Sequence, residues 1–216
     1  MSSYNKLRDE KTFIFEDFSV NLEKEFAFQT DVSNTIKYDK DYFEKYVHME
    51  NTEIAKKINK FRTEITSKYC QNILDIGIGS GEFIKSSKIK VYGYDINPYG
   101  KKLLEEQSLF LNPYEDNVDN IEGFSFWDSI EHFYEPTSLL AKIHANKYIF
   151  ISLPVFEDIM QIKKSKHYRP NEHMTYFTIK GLVLFLEGLG YKILEVSSEE
   201  IKCGRESIFT FVAKKH

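Results

Sequence analysis

Residues 72–83 read NILDIGIGSGEF, and the fold follows from how this stretch is punctuated. Asn72–Ile76 is a compact apolar run of strand character. Gly77, Gly79 and Gly81 come directly after it and open a helix. Glycines at alternate positions let the backbone turn tightly and approach a ligand without interference from a Cβ. Such a turn between strand and helix is where a doubly wound α/β sheet binds its ligand.

The pattern extends outward in both directions. Upstream, Ile54, Ile58, Phe61 and Ile65 recur at steps of four, three and four between Thr52 and Lys68, the stripe of an amphipathic helix with Asn51 as its expected N-cap. Asp39–His48 reads as a shorter helix. Downstream, Val91–Asp95 is a second strand, and Pro98 suits the first turn of the helix that follows. Gly123–Trp127 is a third strand, Pro136–His144 a helix and Lys147–Leu153 a buried strand. Thr178–Leu189 is an amphipathic helix stopped by Gly190. Tyr191–Ser197 and Ile208–Ala213 close the chain as an antiparallel pair. The expected fold is α/β: a Rossmann-like, doubly wound, mostly parallel sheet with helices on both faces and an antiparallel C-terminal hairpin. Residues 1–48 read as a separate extension ahead of a domain spanning 49–216. Phe13, Phe15, Phe18, Phe26 and Phe28 partly alternate there, as in one or two short strands or an aromatic-anchored arm.

Composition narrows the classes of function. The 216 residues carry a net charge of −4, so no global field attracts a phosphate backbone; a nucleic-acid acceptor would need a local basic patch and is not favoured. Cys70 and Cys203 lack metal-ligand spacing and read as buried free thiols, so neither a disulfide nor a metal is expected. The stretch MSSYNKLRDEKT has no apolar core of signal-peptide type, and no run is long enough to span a membrane. The expected location is the cytoplasm, and the oligomeric state is left open.

The glycine loop itself separates the cofactors. A dinucleotide fingerprint wants Gly or Ala where this chain has Glu82, and Asp75 and Glu82 would set two carboxylates beside a pyrophosphate. S-adenosylmethionine carries an ammonium and a sulfonium and no phosphate, so an acid at the strand end favours it. DIGIGSG resembles the motif D/E-x-G-x-G-x-G of class I S-adenosylmethionine-dependent methyltransferases. That resemblance implies that Asp75 lies near the amino-acid moiety, with Gly77, Gly79 and Gly81 shaping the loop beneath. It further implies that Asp95 accepts hydrogen bonds from the ribose hydroxyls and that Ile96 or Asn97 lies against the adenine. An Asp95 that merely caps the next helix is the alternative.

FSFWDSIEHFYEP resembles the segment after the fourth strand in the branch that contains the ubiquinone-biosynthesis O-methyltransferases. By that resemblance Phe126, Trp127 and Asp128 pass beside the cofactor, and Glu131-His132 lie on the turn beyond. His132 reads equally as a base or as a structural histidine paired with Glu131. The likeness runs from about Tyr42 to the C-terminus, with two departures. The helix after the glycine loop is short, and the compressed stretch between Gln107 and Gly123 hides the third strand, with only Asp116 and Asp119 as acids there.

On the acceptor side, Trp127-Asp128-Ser129-Ile130 lacks the prolines used by methyltransferases of exocyclic base nitrogens, and no Pro-Cys serves cytosine C5 methylation. His173 and Tyr176 match the histidine and aromatics that cover the acceptor in the family. His173 is the first candidate for general base, oriented by Glu172, against a purely packing role. Lys163, Lys164, Lys166, His167 and Arg169 form a locally basic loop, read either as a solvated face or as a site for an anionic acceptor. The expected activity is methyl transfer to an oxygen, less favourably a nitrogen, of a small and in this reading anionic molecule. Methylation of RNA or DNA and a cofactor-binding protein without turnover are the competing readings.

Overall fold

A computed structural model describes residues 12–14, 18–30, 36–50 and 52–216. Three short strands come first: β1 (Thr12–Ile14), β2 (Phe18–Asn21) and β3 (Phe26–Gln29). Helices α1 (Lys40–Met49) and α2 (Glu53–Ser67) follow. The alternating part then runs β4 (Asn72–Ile76), α3 (Glu82–Ser86), β5 (Lys90–Tyr94), α4 (Pro98–Glu106), β6 (Gly123–Trp127), α5 (Pro136–Leu140) and β7 (Tyr148–Pro154). The last part holds β8 (Thr175–Phe177), α6 (Ile179–Gly188), β9 (Tyr191–Ser197), α7 (Glu199–Lys202) and β10 (Ile208–Lys215).

The main sheet has the order β5-β4-β6-β7-β10-β9. The β5–β4, β4–β6 and β6–β7 pairs are parallel, while β10 runs antiparallel to both β7 and β9. The α/β fold expected from the alternation is therefore present, with its antiparallel C-terminal hairpin. Because β4 and β6 are covered on both faces, Ile73, Leu74, Phe124 and Phe126 are all buried. The missing third strand is explained by the short 107–123 segment, which supplies only a single bridge between Gly93 and Phe110. Asp116 accepts the Asn112 amide at 2.7 Å, and Asp119 sits 3.3 Å from His144, so both acids hold that loop in place.

A second sheet, β1-β2-β3-β8, is antiparallel throughout. Its N-terminal strands are thus hydrogen-bonded to β8, far along the chain; Phe15 lies outside the described residues. Phe26, Phe28 and Phe177 face the main core, whereas Val20, Ala27 and Tyr176 pack against Ile159 and Ile162 of the 3-10 helix Ile159–Lys164. The β2–β3 turn rests on the start of α6. There a Cβ on Gly181 would lie 2.0 Å from the Glu25 carbonyl oxygen, so only glycine permits the contact.

Several local expectations are corrected. Helix α2 is capped by Thr52, whose hydroxyl accepts the Ala55 amide, while Asn51 lies outside the described residues. Its buried face is polar as well as apolar: Ile54 is exposed, and Arg62, Thr63 and Thr66 are buried beside Ile58 and Ile65. The expected helix 136–144 ends at Leu140. Cys70 is buried, but Cys203 is only half-buried. No helix among the described residues is long and apolar enough to cross a membrane.

Candidate active site

The loop after β4 is left-handed at each of its glycines, with φ of +81° at Gly77, +57° at Gly79 and +77° at Gly81. A Cβ at Gly77 would come within 2.8 Å of the Ser129 Cβ. Beneath the loop, the Asp75 carboxylate accepts the Ser125 hydroxyl at 2.6 Å, and burial pushes its pKa up to about 7. Asp95, just past β5, accepts the Asn97 amide at 2.7 Å. Burial pushes Asp95 up to about 6, against the pull of backbone amides at Asn97, Gly79, Ile78 and Ile96. Asn97 is buried and occupied: its side-chain oxygen caps α4 at the Tyr99 amide, and its side-chain nitrogen donates to the Asp39 carbonyl. Ile96 is exposed, so of the two it alone offers a side chain to a ligand.

Helix α1 and the residue before its cap roof this loop through three tyrosines spaced four apart, Tyr38, Tyr42 and Tyr46. The Tyr46 ring stands 3.7 Å from where a Gly79 Cβ would be. Its hydroxyl is 2.9 Å from that of Tyr42, and the Tyr42 ring packs edge-on to Tyr38 at 5.0 Å. Burial raises the pKa of all three, Tyr38 to about 12, so each is a neutral phenol. The sequence reading missed this row, although the spacing 38, 42, 46 carries it.

The end of β6 is built for rigidity. Phe126 lies in the core with no exposed surface, and Trp127 is wedged between the Phe83 ring and the Arg62 guanidinium, 4.8 Å from its ring centre. The Asp128 carboxylate is taken by Arg62 at 2.9 Å and Arg205 at 2.7 Å, both of which also bind the buried Glu200. Burial pushes Asp128 up, but the two guanidiniums outweigh it and hold the acid well below the usual carboxylate range.

The next turn, the 3-10 segment Ile130–His132, meets the residues just before β8. The Met174 amide donates to the Glu131 carbonyl at 2.7 Å and clamps the two together. His132 and His173 stack edge-to-face at 4.8 Å, and a donor atom from each of them and from Glu131 lies within 4.8 Å of the others. Glu131 Oε2 and His173 Nδ1 are buried with no hydrogen-bond partner among the described residues. Burial, then the neighbouring His132 and Arg169, drives His173 down to about 3. Glu172 does not orient it, because its carboxylate faces Arg169 at 3.3 Å. Tyr176 is buried in the outer core, where its hydroxyl accepts from Gln29 at 2.8 Å. The cations of the 163–169 loop all have neighbours: Lys163 lies over Phe18, Lys164 bonds Gln161, Lys166 pairs with Glu206 and Arg169 with Glu172.

A family model described as a methyltransferase domain matches residues 44–196. The chain belongs to this methyltransferase family. Its cofactor is S-adenosylmethionine. No curated protein matches the chain in sequence. Among solved structures, one similar chain comes from the complex between the Haloferax volcanii Trm112 methyltransferase activator and the putative methyltransferase. It is 12% identical with a TM-score of 0.60, over 80% of this chain and 95% of that one. A second is the Burkholderia thailandensis 1,6-didemethyltoxoflavin-N1-methyltransferase with bound S-adenosylhomocysteine: 14% identity, TM-score 0.54, 88% and 95% covered. A third, an Archaeoglobus fulgidus S-adenosylmethionine-dependent methyltransferase, gives 20% identity and a TM-score of 0.52, over 81% and 100%. At these identities the likeness is one of fold.

The methyltransferase's own residues fit this cofactor. At Gly79 an added Cβ would already touch the Tyr46 ring at 3.7 Å, so a larger side chain would cover the surface that the loop turns toward α1. Buried Asp75 and half-buried Asp95 flank that loop, two acids suited to a ligand with an ammonium and two ribose hydroxyls and no phosphate.

Proposed function

We propose that the protein transfers a methyl group to an oxygen, less favourably a nitrogen, of a small molecule, as in the ubiquinone-biosynthesis O-methyltransferase branch that its DSIEHFYEP segment resembles. One observation carries this reading. Two sets of residues converge past the C-terminal ends of β4–β6. One is the glycine loop with Asp75 and Asp95; the other is the cluster of buried Glu131 and His173 with half-buried His132. The tyrosine roof spans the two, with Tyr38 at His132 and Tyr46 at Gly79.

Bound S-adenosylmethionine supplies an electrophilic methyl group. In this proposal Asp95 holds the ribose, Asp75 and the loop glycines the amino-acid end, and Ile96 lies against the adenine with Asn97 behind it. Phe126, Trp127 and Asp128 act as the stiff strand end that fixes the backbone beside the ligand. A hydroxyl must lose its proton as it is methylated, and a cluster of carboxylate and imidazoles is the group suited to draw it off. His173 alone is a poor base at a pKa near 3, so the cluster works together, with Tyr176 bracing His173 from the outer core. In the 163–169 loop Lys166 and Arg169 are paired with Glu206 and Glu172, which lowers the charge left for an anionic acceptor, and the net charge of −4 weighs against RNA or DNA.

The test is transfer of labelled methyl from S-adenosylmethionine to a panel of small hydroxyl and amine acceptors. Labelled product is expected with hydroxyl acceptors. A protein that binds S-adenosylhomocysteine but labels only amines, or only oligonucleotides, would overturn the oxygen assignment.

A further inference from the structure

The sequence expects no metal, yet the fold brings three donors together from separate segments. We propose that Glu131, His132 and His173 form a binding site for a divalent transition-metal ion of the zinc type, whose open position takes the acceptor hydroxyl; the acceptor half of this inference rests on the methyltransferase reading above.

The argument starts from the two unpartnered atoms. Glu131 is 1% exposed and His173 4%, and neither Glu131 Oε2 nor His173 Nδ1 has a hydrogen-bond partner among the described residues. A buried polar atom left unpaired costs about 1–3 kcal/mol, so two side by side call for a shared ligand. A cation satisfies both atoms at once, and His132 supplies a third donor within 4.8 Å.

The donor set selects the ion. Two imidazoles and one carboxylate suit zinc or iron(II), whereas magnesium and calcium take oxygen donors. Ligand atoms around a tetrahedral zinc lie about 3.4 Å apart, so donors now up to 4.8 Å apart close the site with side-chain shifts of about 0.7 Å each. Three protein ligands leave the fourth position open, as in catalytic zinc sites. The half-buried His132 marks the open side, where the Tyr38 hydroxyl lies 3.5 Å from its Nδ1 and can fix the ring. Asp128, the nearby acid that would compete for the ion, is already neutralised by Arg62 and Arg205.

A hydroxyl bound at such an ion loses its proton to water near neutral pH. The oxygen then forms the new O–CH3 bond, and the C–S bond breaks with its electron pair kept on sulfur. The sulfonium becomes a neutral thioether, and no oxidant or reductant is needed.

The experiment is a titration of the chelator-treated full chain with Co2+, followed by visible absorption, with Zn2+ as competitor and Mg2+ as control. Stoichiometric binding is expected, with four- or five-coordinate Co2+ bands that Zn2+ removes and Mg2+ does not. Glu131→Gln and His132→Ala should each abolish the bands. His132 is half-buried, so its variant should fold even where Glu131→Gln does not. Absence of the bands in the wild type, or bands unchanged in His132→Ala, would overturn the site. S-adenosylhomocysteine binding, measured separately on the metal-free protein, reports on the methyltransferase reading alone.

Discussion

Arg205 grips Asp128 with both ends of its guanidinium, Nη1 to Oδ2 at 2.7 Å and Nη2 to Oδ1 at 2.8 Å. Arg62 reaches the same acid from α2, and both arginines bind Glu200, which has no exposed surface. Four residues from α2, the β6 end, α7 and the loop before β10 are thereby tied at the edge of the site. Arg205→Gln leaves Asp128 and Glu200 sharing one cation, and a broken buried pair of this kind costs about 3 kcal/mol. Asp128 has a folded pKa below its unfolded one. Its contribution is therefore present above the ordinary carboxylate pKa of about 4 and is lost as pH falls through the lower folded value. Urea unfolding should show a large gap between wild type and variant at pH 7, narrowing in strong acid. A gap under about 0.5 kcal/mol at pH 7, the scale of an ordinary surface change, would show the tie to be dispensable.

The acids of the cofactor loop predict an opposite pH response. Asp75 and Asp95 have pKa values raised to about 7 and about 6, above their unfolded values. Such groups contribute stability that is full below about pH 4 and lost as pH rises through 6 to 7. Accepting hydrogen bonds from an ammonium or ribose needs the ionised forms, so S-adenosylhomocysteine should bind more weakly as pH falls through the same window. Calorimetry from pH 5 to 8 checks this, and Asp95→Asn should flatten the lower part of the curve. Affinity that rises toward acid would contradict the assigned roles.

Gly79→Val should abolish the rise in melting temperature that S-adenosylhomocysteine gives the wild type. The valine meets both a φ of +57° and the Tyr46 ring 3.7 Å from its Cβ. Gly188→Ala is the matched control. It sits at the end of α6 with nothing within 4 Å of the new methyl, and should leave ligand binding intact while gaining up to about 1 kcal/mol. Equal ligand shifts in both variants would remove Gly79 from the site.

What the sequence made legible was set by local physics. β4, the glycine turn, β6 and the β9–β10 pair announce themselves through short-range pattern, because apolar runs and turn glycines act within a few residues. The pairing of β3 with β8 could not be read this way: Phe26↔Phe177 is a contact between distant segments, and alternation gives a strand's face without its partner. The same holds for Glu131 with His173. Each residue was noticed, but the Met174–Glu131 backbone bond and the His132–His173 ring contact that bring them together join distant segments. The basic loop's ion pairing was hidden for the same reason, since Glu206, the partner of Lys166, lies well outside it.

The tyrosine roof leads to a prediction about motion. Helix α1 has no buried residue and is held mainly by the Asn97–Asp39 bond, the Phe43–Tyr99 stack, the Lys85–Glu50 pair and its tyrosine face. Elements with so little buried apolar surface open with low free energy. In the free protein its amides should therefore exchange with deuterium far faster than those of β4, β6 and β7. A ligand seated on the glycine loop beside Tyr46 adds contacts to the helix, so S-adenosylhomocysteine should slow exchange across Lys40–Met49. Tyr46→Ala removes the ring over Gly79 and should weaken binding about tenfold, the 1.4 kcal/mol of a modest aromatic contact. Tyr42→Phe deletes only the hydroxyl 2.9 Å from Tyr46 and should weaken it less. Exchange in α1 that is indifferent to the ligand, together with unchanged affinity in Tyr46→Ala, would place the helix outside the binding site.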